Sequence, residues 1–324
     1  MKYRLLGSSG MRVSEVAMGT MTFGEDWGWG ASKDVSRRIF ERFAEAGGNF
    51  VDTSNNYTNG TAEMFVGEFL EADRDHFVLA TKFSLSTRPA DPNAGGNHPK
   101  NMVQALDASL RRLRTDRIDL YWLHMWDFTT PVEDILYALD TQVRAGKVLH
   151  IGFSDTPAWV IARAHAIAAV RGWAKPVAVQ VPYGLADRDP ERESLPMANT
   201  LGLAVTAWGV LSGGVLTGKY EAASVEPRRY GDDPQSDREL ALATEIRAVA
   251  DEAKCSPAQA AIGWVLAQRR GTLIPILGAR TEEQMVDDVA ALEVELTEQQ
   301  LERLDHASAV RLGFPLDFLL SEHV

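Results

Sequence analysis

Four residues of this 324-residue chain have the types and the spacing for proton chemistry. Asp52 closes the apolar run NFVDT, and Tyr57 follows five residues on. Lys82 closes FVLATK, and His124 follows IDLYWL. A free tyrosine has a pKa of about 10 and is a poor acid at neutral pH. An ammonium beside it favours the phenolate. An aspartate can keep that ammonium charged and oriented, and an imidazole can hydrogen-bond a carbonyl oxygen. Together they make a proton donor beside an electrophilic pocket, suited to carbonyl reduction. The hydride must then come from a cofactor. Each residue alone has a plainer reading: Asp52 as a loop cap, Lys82 as a snorkelling chain, His124 as a satisfied core histidine, Tyr57 as uninformative. Lys82 resists that reading most, because a lysine ending an apolar run is costly to bury without a partner.

These residues sit at the ends of strand-like runs, and the runs predict what positions them. Strands are expected at 14–19, 49–53, 77–82, 118–123, 148–153, 177–181, 203–208 and 272–277. Most are wholly apolar, as strands buried on both faces should be. Helices are expected between them at 33–46, 61–71, 99–114, 131–144, 156–171, 190–200, 238–254, 256–269, 281–291 and 297–308. Thr130-Pro131, Thr156-Pro157 and Ser256-Pro257 each read as N-cap plus first helical residue. Eight strands alternating with helices predict a (β/α)8 barrel, with one domain over residues 1–324. The gap between the seventh and eighth strands holds a polar loop, 220–237, and an extra helix. YRLLGSSGMRVSEV reads as a hairpin that closes the barrel bottom. The rival is an open doubly wound sheet, but no G-x-G-x-x-G follows the first strand. Barrel active sites lie at the C-terminal strand ends, where all four candidates fall.

Composition narrows the partners. A net charge of −12 argues against a nucleic-acid surface. No apolar run reaches the roughly 18–20 residues of a membrane span. The start lacks the core of a signal peptide, and the single cysteine, Cys255, cannot pair internally, so a cytoplasmic location is expected. An anionic ligand would need a local cluster of donors.

At this point the motifs FVDTSNNY, ATKF, YWLHMWD, GFSD, VQVPYGL, LSGGVLTGKY and IPILGARTEEQMVDD are recognisable. The sequence resembles the aldo-keto reductase superfamily over essentially its whole length. The resemblance implies a barrel that binds NADP(H) across its C-terminal mouth and reduces a small aldehyde or ketone. It makes Tyr57 the general acid, Lys82 and Asp52 its tuning pair, and His124 the orienting residue. It places Gly19, Thr20 and Met21 beside the nicotinamide ribose, Ser154 and Gln180 on the carboxamide, and Tyr183 stacked on the nicotinamide. The segment from Trp208 through Leu211 and Gly213 to Lys219 matches a pyrophosphate clamp. Gly278, Arg280, Gln284, Asp287 and Asp288 match the segment around the adenosine and its 2′-phosphate. Asp155 and Asp288 stand where the family usually has Asn.

Other residues keep two readings. Trp27 and Trp29, in the Gly-rich loop 24–31, either line a substrate pocket or cover the barrel top, and Trp126 is similar. The stretch 86–98 is a substrate loop or a connection. His76, His98, His150, His165, His306 and His323 show no metal-ligand spacing. Two rival functions use the same residues. One is a redox-sensing scaffold that binds NADP(H) with little turnover, although nothing marks a partner surface. The other is a metallohydrolase, which fails because the rim offers too few ligands.

Overall fold

Phe50–Asp52 and Ile118–Leu123 contain no exposed residue, which is what strands covered on both faces require. The structure is a computed structural model that describes residues 1–217 and 236–321. A short antiparallel hairpin comes first, β1 (Tyr3–Leu5) with β2 (Arg12–Ser14). Eight parallel strands follow among the described residues: β3 (Ala17–Gly19), β4 (Phe50–Asp52), β5 (Val78–Phe83), β6 (Ile118–Leu123), β7 (Val148–Ser154), β8 (Pro176–Pro182), β9 (Ala204–Trp208) and β10 (Leu273–Leu277). They close in the order β10-β3-β4-β5-β6-β7-β8-β9. The helices between and after them are α1 (Lys33–Glu45), α2 (Thr61–Leu70), α3 (Pro99–Arg112), α4 (Val132–Arg144), α5 (Ala158–Arg171), α6 (Ser194–Leu201), α7 (Asp237–Ala253), α8 (Pro257–Ala267), α9 (Glu282–Ala290) and α10 (Glu298–Ser308). This is the expected (β/α)8 barrel.

Strand periodicity divides the core in two. Phe50, Ala80, Leu120, Trp122, Ala178, Ala204 and Ile274 form an inner cluster, and the helices cover a larger outer one. Leu6 and Val13 of the hairpin region join the inner cluster, so the hairpin closes the barrel bottom. The fit there is tight: a Cβ at Gly7 would lie 2.1 Å from the Val177 carbonyl oxygen. Trp122 fills the barrel below the site, and its ring needs the neighbouring strand to be bare. A Cβ at Gly152 would lie 2.3 Å from that ring.

Local differences from the expected elements have local causes. The run at 14–19 is split between β2 and β3. The Ser14 amide donates to the side-chain oxygen of Asn49 at 2.7 Å, and the Glu15 carboxylate accepts the Lys2 amide at 2.7 Å. These polar contacts turn the chain from the floor into the barrel. Pro131 and Pro157 hold ψ of 134° and 138°, so each caps its helix from outside and does not begin it. Ser256-Pro257 behaves as expected, with a capping box to Gln259. The predicted helix at 190–200 is a short 3-10 turn followed by α6. Most of the polar loop 220–237 lies outside the described residues.

Candidate active site

Asp52, Lys82 and His124 converge because they end neighbouring strands. Register pairs β4 with β5 and β5 with β6, so Asp52, on β4, and Lys82, on β5, lie close inside the barrel. His124 follows β6, and its amide donates to the Phe83 carbonyl at 3.1 Å. Tyr57 comes from the loop after β4. The residues just beyond it, Thr58 and Asn59, hold left-handed φ of 43° and 56°. Such conformations cost about 1–3 kcal/mol each and persist only where contacts fix them. Here the Thr58 hydroxyl donates to the Phe23 carbonyl at 2.6 Å and accepts the Ala62 amide at 3.1 Å.

Lys82 has no exposed surface. Its Nζ donates to Asp52 Oδ2, to the Thr53 carbonyl at 2.8 Å and to the Tyr57 hydroxyl at 3.1 Å. Burial alone would drive its proton off, but Asp52 and Tyr57 outweigh burial and hold the ammonium above its ordinary pKa. Asp52 Oδ1 accepts from Trp122 Nε1 at 3.0 Å and Gln180 Nε2 at 3.1 Å. Removing two ions from water costs several kcal/mol each, and such a pair is weak evidence of stabilisation. An ammonium held at that cost against a phenol points to chemistry. His124 is buried beside it. Burial first and the Lys82 charge second push its imidazole down to about 3, so the ring is neutral at pH 7. The rings of Tyr57 and His124 meet edge to face at 6.0 Å, and His124 Nδ1 lies 3.1 Å from the Ser54 hydroxyl.

One cavity of about 590 Å³ opens over this cluster. Asp52, Tyr57 and His124 line it, together with Gly19, Met21, Trp27, Ser154, Gln180, Trp208 and Leu211. Gly213, Gly278, Arg280, Gln284, Asp287 and Asp288 line it as well. The last residues differ in their commitments. Gln284 Oε1 accepts the Arg280 amide at 2.8 Å. The Asp287 carboxylate accepts from Ser256 and Gln259, both at 2.7 Å. Lys82 lies behind Tyr57 and is not in the wall.

Three expected contacts fall elsewhere. Thr20 is fully buried, and its hydroxyl donates to the Asp52 carbonyl at 3.1 Å. Trp126 packs against Phe128 outside the cavity wall. Tyr183 has no exposed surface: its hydroxyl donates to Glu191 at 2.9 Å and its ring packs on Trp264. A ring covered in this way has no free face to stack, whereas Trp208 does line the cavity. Lys219 lies outside the described residues. Asn56, Leu85 and Ser256, which are not among the expected site residues, also line the cavity. Asn56 sits one residue before Tyr57, which was a usable signal, while Leu85 and Ser256 carried none. Among the described residues no group of His, Cys, Asp or Glu could hold a metal, and no helix is long and apolar enough to cross a membrane.

The aldo/keto reductase family profile matches residues 15–309. A norsolorinic acid reductase, stcV, of Emericella nidulans is 36% identical over 321 residues, covering 96% of this chain and 82% of that protein. An aryl-alcohol dehydrogenase [NADP(+)] of Phanerodontia chrysosporium is 32% identical, covering 96% of this chain and 87% of its own length. The aldo-keto reductase ausK of Aspergillus calidoustus is also 32% identical, with 98% and 85% covered. Barrel, buried cluster and likeness over nearly the whole chain agree, and this protein belongs to the aldo/keto reductase family, as an oxidoreductase acting on carbonyl and alcohol groups.

Proposed function

We propose that residues 1–324 act as one NADP(H)-dependent reductase of aromatic aldehydes and ketones, with Tyr57 as the general acid. The observation that carries this reading is the fully buried Lys82 ammonium, paired with Asp52 and 3.1 Å from the Tyr57 oxygen. Of the two candidate proton donors, His124 is held neutral, and a neutral imidazole N–H is a weaker acid than a phenol, so Tyr57 gives the proton. His124 orients the carbonyl. When bound, the dihydronicotinamide supplies a hydride to the carbonyl carbon. The carbonyl oxygen takes the Tyr57 proton, and Lys82 stabilises the phenolate left behind. Solvent returns the proton through the mouth.

The cavity suits such a dinucleotide along its length. Ser154 and Gln180 offer amide-recognising groups near Tyr57, and Trp208 offers a stacking face. Gly209 and Gly278 keep the wall open, since a Cβ at either would meet nothing within 4 Å. Arg280, in the cavity lining, suits a 2′-phosphate because a guanidinium is permanently charged and bonds in a fork. Trp27 and Trp29, with ring centroids 5.9 Å apart, and Leu85 make the substrate side apolar and aromatic. The names of the relatives, a reductase and an aryl-alcohol dehydrogenase, support that substrate class.

A panel of aryl aldehydes and ketones, followed by loss of NADPH absorbance, tests the reading. Tyr57→Phe keeps the ring and loses the proton, so turnover should fall about 10²–10⁴-fold with NADPH binding nearly intact. Near wild-type turnover in that variant would overturn the role of Tyr57.

A further inference from the structure

Asp155 places a carboxylate in the cavity wall beside Ser154, Gln180 and Trp208. Its backbone is left-handed, with φ of 39°, a costly conformation for a residue other than glycine. Two backbone bonds hold it there: its amide donates to the Gln180 carbonyl at 3.2 Å, and its carbonyl accepts from Trp126 at 3.3 Å. Trp208 Nε1 donates to its Oδ1 at 3.3 Å. The side chain is thus held at the edge of the Trp208 ring.

The charges at this end of the cavity do not balance. Lys82 is neutralised by its pair with Asp52, and His124 is neutral. Among the described residues lining this end, Asp155 is the remaining carboxylate. Hydride must reach the carbon whose oxygen Tyr57 protonates, so the nicotinamide must lie beside Tyr57. Gln180 ties that place to Asp155, because its Nε2 donates to Asp52 while its backbone carbonyl accepts the Asp155 amide. The oxidised ring is a cation and the reduced ring is neutral.

Resting on the cofactor reading above, we infer that Asp155 selects the oxidised nicotinamide dinucleotide over the reduced one by charge. A carboxylate in a poorly solvated wall attracts the cationic ring and leaves the neutral one almost unaffected. The same charge makes hydride donation easier and release of the oxidised form slower. Burial pushes the Asp155 carboxyl up, against the pull of the Trp208 indole and the Lys82 ammonium, so the comparison belongs at pH 8.

Asp155→Asn keeps the shape and the acceptor for Trp208 and removes only the charge. Equilibrium titration with NADP⁺ and with NADPH, by quenching of tryptophan fluorescence, reads both affinities without turnover. The variant should bind NADP⁺ about tenfold more weakly, equivalent to about 1.4 kcal/mol, while NADPH changes less than about twofold. The retained NADPH affinity also shows that the variant is folded. Equal losses for both forms, or an unchanged ratio, would overturn the role of Asp155 and leave the cofactor reading standing. A wild type that binds neither form would overturn the cofactor reading and this inference with it.

Discussion

Lys82 keeps a charge that its surroundings alone would remove, and Asp52 together with Tyr57 is the reason. Lys82→Met preserves most of the volume and withdraws the charge that stabilises the phenolate. Reduction should slow. Alcohol oxidation, in which Tyr57 must accept a proton, should need a pH higher by about one unit or more. The wild-type profile should show no limb near 6.5, because the His124 imidazole is held down to about 3 and stays neutral across that range. Paired pH–rate profiles check both points. Circular dichroism must accompany them, since a buried pair broken on one side costs about 3–5 kcal/mol. An unchanged alkaline limb with activity present would leave Lys82 as a structural partner of Asp52. The four residues of this cluster were legible because each ends an apolar run or closely follows one. Tyr183 was misread for a different reason. A motif gives an aromatic residue's place in the chain but not its direction, and the Glu191 that captures Tyr183 belongs to the turn that follows.

Elements near the mouth are tied by single side chains. Asp127 accepts from the amides of Thr129 and Thr130, both at 2.9 Å, and from the Thr130 hydroxyl and the Asn97 amide, both at 2.7 Å. It joins the loop after β6 to the end of the stretch 86–98, so that stretch is anchored at its far end. Asp127→Ala should cost about 1–3 kcal/mol and open 86–98 to proteolysis, which melting temperature and limited digestion would read. The sign of the pH effect follows from the shift. Partial burial pushes the carboxyl up, and donors from Thr130, Asn97 and Thr129 prevail, leaving it near 2 against an ordinary 3.8. The anchor therefore stabilises the fold above about pH 4, and that contribution is lost as pH falls toward 2. An Asp127→Ala protein as stable as wild type at pH 7 would show that the anchor holds nothing. The strands were legible from apolar runs, and of the three caps read in the sequence Ser256-Pro257 falls where expected. The proline caps were read one residue too far in, because Pro at the N-cap and Pro at N1 look alike in sequence.

Across the whole molecule, a chain of net charge −12 must attract an anion with local charge. Arg280 lines the cavity and is suited to that task. Arg280→Ala should weaken NADPH by about one to two decades, the worth of a charge-assisted pair, and NADH far less. Equal losses would show that Arg280 does not read a 2′-phosphate; affinities by titration decide. Barrel closure was legible in the alternation of runs, whereas the cavity's walls were not, because they are assembled from loops far apart in the chain. The hairpin under the barrel has a practical consequence. It puts Lys2 and Ser8, both exposed, at the pole opposite the mouth. A bead, an electrode or a second enzyme coupled through that face would hold the molecule upright, with its opening turned toward the medium.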